Sequence, residues 1–73
     1  MVRDPDVASR LSSVALAAGK ELDEVLMFSA ERVSPEEFQQ LRHAVGNVLG
    51  ELLLSILNPL YRQHPELKPA ELN

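Results

Sequence analysis

The stretch from Ser34 to Leu57, SPEEFQQLRHAVGNVLGELLLSIL, decides the fold. Its first four residues are a helix start. Ser34 is placed to cap free backbone N–H groups, Pro35 suits the first turn, and Glu37 lies three residues on to complete a capping box. Val33 before the cap and Phe38 after it have the spacing of a hydrophobic staple. Beyond the start, Phe38, Leu41, Val45, Val48, Leu49, Leu52 and Ile56 recur at steps of three and four, which at about 100° per residue gathers them on one face. In the second half, Leu53, Leu54, Leu57, Leu60 and Tyr61 widen the apolar arc to more than half the circumference. Gly46 and Gly50 fall inside that added arc.

Working back toward the N-terminus, Asp4-Pro5-Asp6 is a second helix start, with Asp4 as cap and Pro5 at the first helical position. The apolar positions Val7, Leu11, Val14, Ala15, Ala18, Leu22, Val25, Leu26, Ser29 and Val33 share one face. Two readings of Gly19 are open. It sits inside one helix at a cost of about 1 kcal/mol, or it ends a first helix as its C′ residue. The unbroken phase favours one helix from about residue 4 to 32. The link to Ser34 is then short, which makes the two helices antiparallel neighbours. Val7, Leu11, Val14, Leu22 and Val25 are expected to pack on the long helix.

Working forward, Asn58-Pro59 is expected to end or kink the long helix at about residue 58. A short helical turn follows at about 59–64. Residues 65–73, with Pro65 and Pro69, read as an extended or disordered tail. The expected fold is therefore all-α, a helical hairpin in one domain spanning 1–64. A hairpin buries one face of the long helix, and this helix is apolar on more than one. A second copy of the chain supplies the missing cover, so the expectation is a homodimer forming a four-helix-type bundle. The paired glycines have the spacing of a close helix–helix contact. The expected dimer interface is Gly46, Gly50, Leu53, Leu54, Leu57 and Tyr61. Leu16 and Met27, eleven residues apart on the back of the first helix, form a possible surface for another protein partner.

Composition narrows the function. The chain has 73 residues, no cysteine and a net charge of −4. Disulfides and thiolate metal sites are excluded, and an acidic chain has no general attraction for nucleic acid or anionic membrane. Met1-Val2-Arg3-Asp4 leads into no apolar run, so no secretory signal is expected. The apolar run from Ala44 to Leu57 is shorter than the roughly 20 residues that span a bilayer. A cytoplasmic protein with no membrane partner follows. His43 and His64 lack metal-ligand spacing and read as solvated. No serine carries a nucleophile motif and no phosphate loop is present, so the reading is non-enzymatic, with no catalytic residue, cofactor or metal. The function expected is a small protein–protein interaction or regulatory module. Two alternatives come from other classes. Residues 14–32 have the loose spacing of a helix-turn-helix, with Gly19 at the turn, although Glu21, Asp23, Glu24 and Glu31 suit DNA poorly. The leucine-rich half of a bundle also suits an apolar ligand carrier.

Overall fold

A computed structural model describes residues 1–70, and these are all-α, with no strand among them. Helix α1 spans Pro5–Ser29 and helix α2 spans Pro35–Glu51. A wider π-helical turn, Leu52–Leu57, carries α2 without interruption into α3, Asn58–Gln63, and a 3-10 turn follows at Pro65–Leu67. The two long rods lie antiparallel in a hairpin-like arrangement. Gly19 lies against Leu49 and Leu52, Ser12 reaches Tyr61, and Val2 reaches His64. The expected tail contains a 3-10 turn rather than a wholly extended chain, and its last residues, 71–73, lie outside the described part.

Both helix starts form as their residues dictate. The Asp4 carboxylate accepts from the N–H groups of Asp6 and Val7 at 2.8 and 3.1 Å. Ser34 Oγ accepts from Glu37 N–H at 3.2 Å while Glu37 Oε1 accepts from Ser34 N–H at 3.1 Å, which closes the capping box. Helix α1 ends a turn earlier than expected, at Ser29, whose hydroxyl donates to the Leu26 carbonyl at 2.8 Å.

Helix α1 runs unbroken through Gly19. Residues 14–29 are one straight element, so the turn that a helix-turn-helix needs at Gly19 does not form. The face that α1 turns to α2 differs from the expected one. Val7, Val14 and Val25 are 51%, 60% and 59% exposed, whereas Ala8, Ser12, Ala15 and Ser29 are buried. The contact seam is Ala8, Ser12, Ala15, Gly19, Leu22, Leu26 and Ser29, a strict alternation of four- and three-residue steps one position out of phase with the valines. Small residues dominate it because small side chains let the opposing helix approach closely, in the way knobs-into-holes seams require. Apolar periodicity weights valine above alanine, serine and glycine, and so it points about 100° away from the packed face.

The long rod is also re-phased. Pro59 cannot donate to the carbonyl four residues back, and its ring would collide with that carbonyl in a regular helix. The π-turn in front of it, in which Asn58 N–H donates to the Leu53 carbonyl five residues back, gives the ring room. The helix therefore passes through Pro59 instead of ending at it. The extra residue in the turn rotates everything beyond it by about 100° relative to a regular helix. That rotation turns Leu57, Leu60 and Tyr61 toward α1 and His64 toward Val2, and all four are buried. Leu57 and Tyr61, expected on an outward arc, are core residues of a single chain for this reason.

The core sits at one end of the rod. Ala8, Ala15, Leu57, Leu60 and Tyr61 are its buried members, with Val2, Leu11, Leu16, Leu52, Ile56 and Leu67 packed around them. Buried Ser12, Tyr61 and His64 make polar links at this end, and Gln63 Oε1 accepts from the Met1 and Val2 N–H groups beside them. Ser12 Oγ and Tyr61 Oη share a buried hydrogen bond of 2.6 Å. His64, expected in solvent, is only 8% exposed. Its Nε2–H donates to the Val2 carbonyl at 2.6 Å, and its Nδ1 lies 3.4 Å from Glu66. At the other end α2 has no fully buried residue, and Phe38, Val45 and Leu49 are half-buried.

Two stability outcomes follow. A Cβ placed on Gly19 meets Leu49 Cδ2 at 3.5 Å, an ordinary contact. Gly19→Ala is therefore expected to raise unfolding stability by up to about 1 kcal/mol through helix propensity, and Gly19→Leu to lower it by prying the seam apart, both read by chemical denaturation. In the buried Ser12–Tyr61 pair, Ser12→Ala or Tyr61→Phe alone is expected to cost about 1–2 kcal/mol by stranding the other hydroxyl, while the double variant costs less than the sum.

Candidate interaction surface

A chain of 8.1 kDa that folds to a compact monomer exposes about 4,500 Å². This one exposes 5544 Å². Its radius of gyration is 14.5 Å and its extents are 45 × 20 × 16 Å, where a globular chain of this length has a radius near 11 Å. The molecule is one helix-pair thick, and large apolar side chains remain uncovered.

Those side chains are not scattered. On α1, exposed Val7, Val14, Val25 and Phe28 form a series with half-buried Leu11 and Ala18, again at alternating steps of four and three, with only Glu21 interrupting it. Val14 and Phe28 are 60% and 65% exposed. Helix α1 thus carries two adjacent seams, a small one turned to α2 and a large one beside it facing out. On α2, Leu41 and Val48 are exposed on the flank of its own contact face. Both outward sets are reached by rotating in the same sense from the contact face, by about 100° on α1 and about 65° on α2. Because the helices are antiparallel, the same sense of rotation leads to the same side of the hairpin. The result is one broad apolar face built from both helices.

The rim of this face is charged. A groove lined by Val7, Arg10, Leu11 and Val14 opens on the N-terminal half of α1, and another lined by Glu21, Glu24, Val25 and Phe28 opens on its C-terminal half. Arg32 lies over the Phe28 ring, 4.2 Å from its centroid, and covers one face of it. Both grooves are open surface features.

The residues expected at an interface are divided by the fold. Gly46 and Gly50 face open space, and a Cβ on either meets nothing within 4 Å. The groove at Gly46 is polar, lined by Gln39, Arg42, His43 and Asn47. Leu53 and Leu54 are exposed near them. Leu57 and Tyr61 lie inside the chain. Of the expected partner surface, Met27 is 71% exposed, whereas Leu16 is half-buried against the core. The face formed by Val7, Val14, Val25, Phe28, Leu41 and Val48 is missed by reading apolar residues as buried residues. The signal that identifies it is the second, small-residue repeat one position away.

The continuous rod Pro35–Gln63 is 29 residues long and, by length and composition, apolar enough to cross a membrane, with a mean hydropathy of 1.2 over its most apolar window. The expectation that no segment is long enough counted only the apolar run from Ala44 to Leu57, and the rod extends beyond that run at both ends. Glu51 sits in the middle of this rod and accepts a hydrogen bond from Ser55 Oγ at 2.7 Å. Among the described residues no three His, Asp or Glu side chains gather as a metal-binding group. No protein-family model matches the sequence, and no curated protein or solved structure is significantly similar to it.

Gly46→Ala and Gly50→Ala are expected to raise helix stability by up to about 1 kcal/mol each, as read by chemical denaturation, and to leave the mass measured by sedimentation unchanged. A stabilised chain that loses its partner would locate the partner's backbone at the glycines.

Proposed function

We propose that this chain is a non-enzymatic protein–protein interaction or regulatory module that works as a homodimer in the cytoplasm, two hairpins closing into a four-helix-type bundle. The observation that carries the reading is the apolar face shared by α1 and α2. Exposed apolar surface on this scale marks an interaction site on a folded protein. The excess of about 1,000 Å² over a compact monomer is close to the roughly 800 Å² that each partner contributes to a standard interface. A chain this small also gains the stability it lacks from a second subunit, since it has no disulfide to draw on.

A lipid surface is the competing occupant, favoured by the composition of the rod 35–63. Against it stands Glu51, since a carboxylate at the centre of a bilayer costs about 3 kcal/mol. Lys20, Glu21, Asp23 and Glu24 on α1 would have to stay outside.

Sedimentation equilibrium across the micromolar range is expected to return twice the 8.1 kDa of one chain, with no co-sedimentation on zwitterionic or anionic vesicles. A monomer mass throughout would overturn the reading. Capture by vesicles would redirect it to the membrane.

A further inference from the structure

The two grooves on α1 share one spacing. Val7, Arg10, Leu11 and Val14 stand at the same relative positions as Glu21, Glu24, Val25 and Phe28, shifted by two heptads, about 21 Å along the helix. One rim is basic and the other acidic. Midway between them lie Ala17 and Ala18, the smallest side chains on that side of the helix. A surface built this way is complementary to itself in only one orientation. Turned end over end about Ala17–Ala18, the basic half meets the acidic half, Val7 meets Phe28 and Leu11 meets Val25. A parallel arrangement would set Arg10 beside Arg10 and the glutamates beside each other, which like-charge repulsion disfavours.

Resting on the self-association reading above, we propose that a second copy of this chain seats its own α1 antiparallel along the outer seam of α1, with the two-fold axis crossing at Ala17–Ala18. This is an isologous contact, in which each residue pair occurs twice. The same axis, running across both helices, lays α2 over its counterpart. Every neighbouring pair of helices is then antiparallel, and Leu41 and Val48 join the covered surface. The alanines at the centre let the two α1 axes come close, in the way the small seam does inside each hairpin. Each copy also brings the well-packed end of one hairpin over the thinly packed turn end of the other, so that Phe28 and Val25 gain cover where a single chain leaves them 65% and 59% exposed. The glycine side of α2 points away from this contact and stays open.

The absence of cysteine makes the test clean. Arg10, Ala17 and Glu24 are exposed, and a Cβ on Gly50 meets nothing within 4 Å, so the substitutions leave the core untouched. Under mild oxidation at low micromolar concentration, Ala17→Cys is expected to form a covalent dimer. Arg10→Cys and Glu24→Cys are expected to stay uncrosslinked alone and to form the mixed dimer when combined, as read by intact mass. Arg10→Glu is expected to weaken dimerisation about threefold, and the charge-swapped Arg10→Glu/Glu24→Arg chain to recover it. If the unmodified chain is monomeric at every concentration, both this inference and the self-association reading fall. If it is dimeric but Gly50→Cys crosslinks and Ala17→Cys does not, the dimer stands and this interface is wrong. Self-crosslinking of Arg10→Cys would overturn the antiparallel orientation.

Discussion

Close approach along the row of small side chains on α1 is the constraint from which the rest of this structure follows. Ala8, Ser12, Ala15 and Gly19 carry almost no side-chain volume, so α2 and α3 come in near the α1 backbone, and Leu49, Leu52, Leu57, Leu60 and Tyr61 supply the bulk of the contact. Dispersion and burial scale with the atoms brought together. A seam made this way is tight but thin. It holds two helices side by side and cannot also shelter the valines one position further round. The hairpin is thereby left with Val7, Val14, Val25 and Phe28 outside, and the exposed face is a direct consequence of how the inner one is packed.

The π-turn is the second decision. It resolves the conflict between Pro59 and a continuous helix, and in doing so it turns the last stretch of the rod toward α1. Tyr61 then reaches Ser12, and His64 reaches Val2, so the terminal segments are tied together by hydrogen bonds whose polar atoms would otherwise be buried without partners. Local irregularities of this kind are often found where a side chain has to be re-aimed. Here the result is an asymmetric molecule, closed and well packed where α3 meets the start of α1, open and lightly packed near the connection at Ala30–Ser34. Low local packing density goes with low local stability, so the turn end is the part of the hairpin with most to gain from a partner.

The charge pattern acts at a different level. Charged residues at the rim of an apolar face contribute little to affinity and much to orientation. Arg10 on one half of α1 and Glu21 with Glu24 on the other make the outer seam polar in the directional sense, with a basic end and an acidic end. An apolar seam without such a rim would accept a second helix in either direction. Among the buried polar groups, Ser12 and Tyr61 bond to each other across the helices, His64 bonds to the Val2 carbonyl, and Ser29 bonds to the Leu26 carbonyl of its own helix.

Much of the local structure was legible from residue types alone. Asp4-Pro5 and Ser34-Pro35-x-Glu37 start helices because their side chains satisfy backbone donors nearby in the chain, and a signal that local needs no tertiary context. The helical class, the two long elements and the surplus of apolar arc follow from spacing in the same way. Which face of α1 is inside did not. Valine at positions 7, 14 and 25 and alanine, serine and glycine at 8, 12, 15 and 19 describe two seams side by side, and hydrophobicity favours the first while close packing selects the second. Leu57 and Tyr61 were misplaced for a related reason. A constant 100° per residue holds only until a proline forces a wider turn, and everything beyond it rotates. Sequence by itself determined the elements, because they depend on contacts a few residues apart. Only the tertiary structure decided the faces, because they depend on how near one helix can come to another.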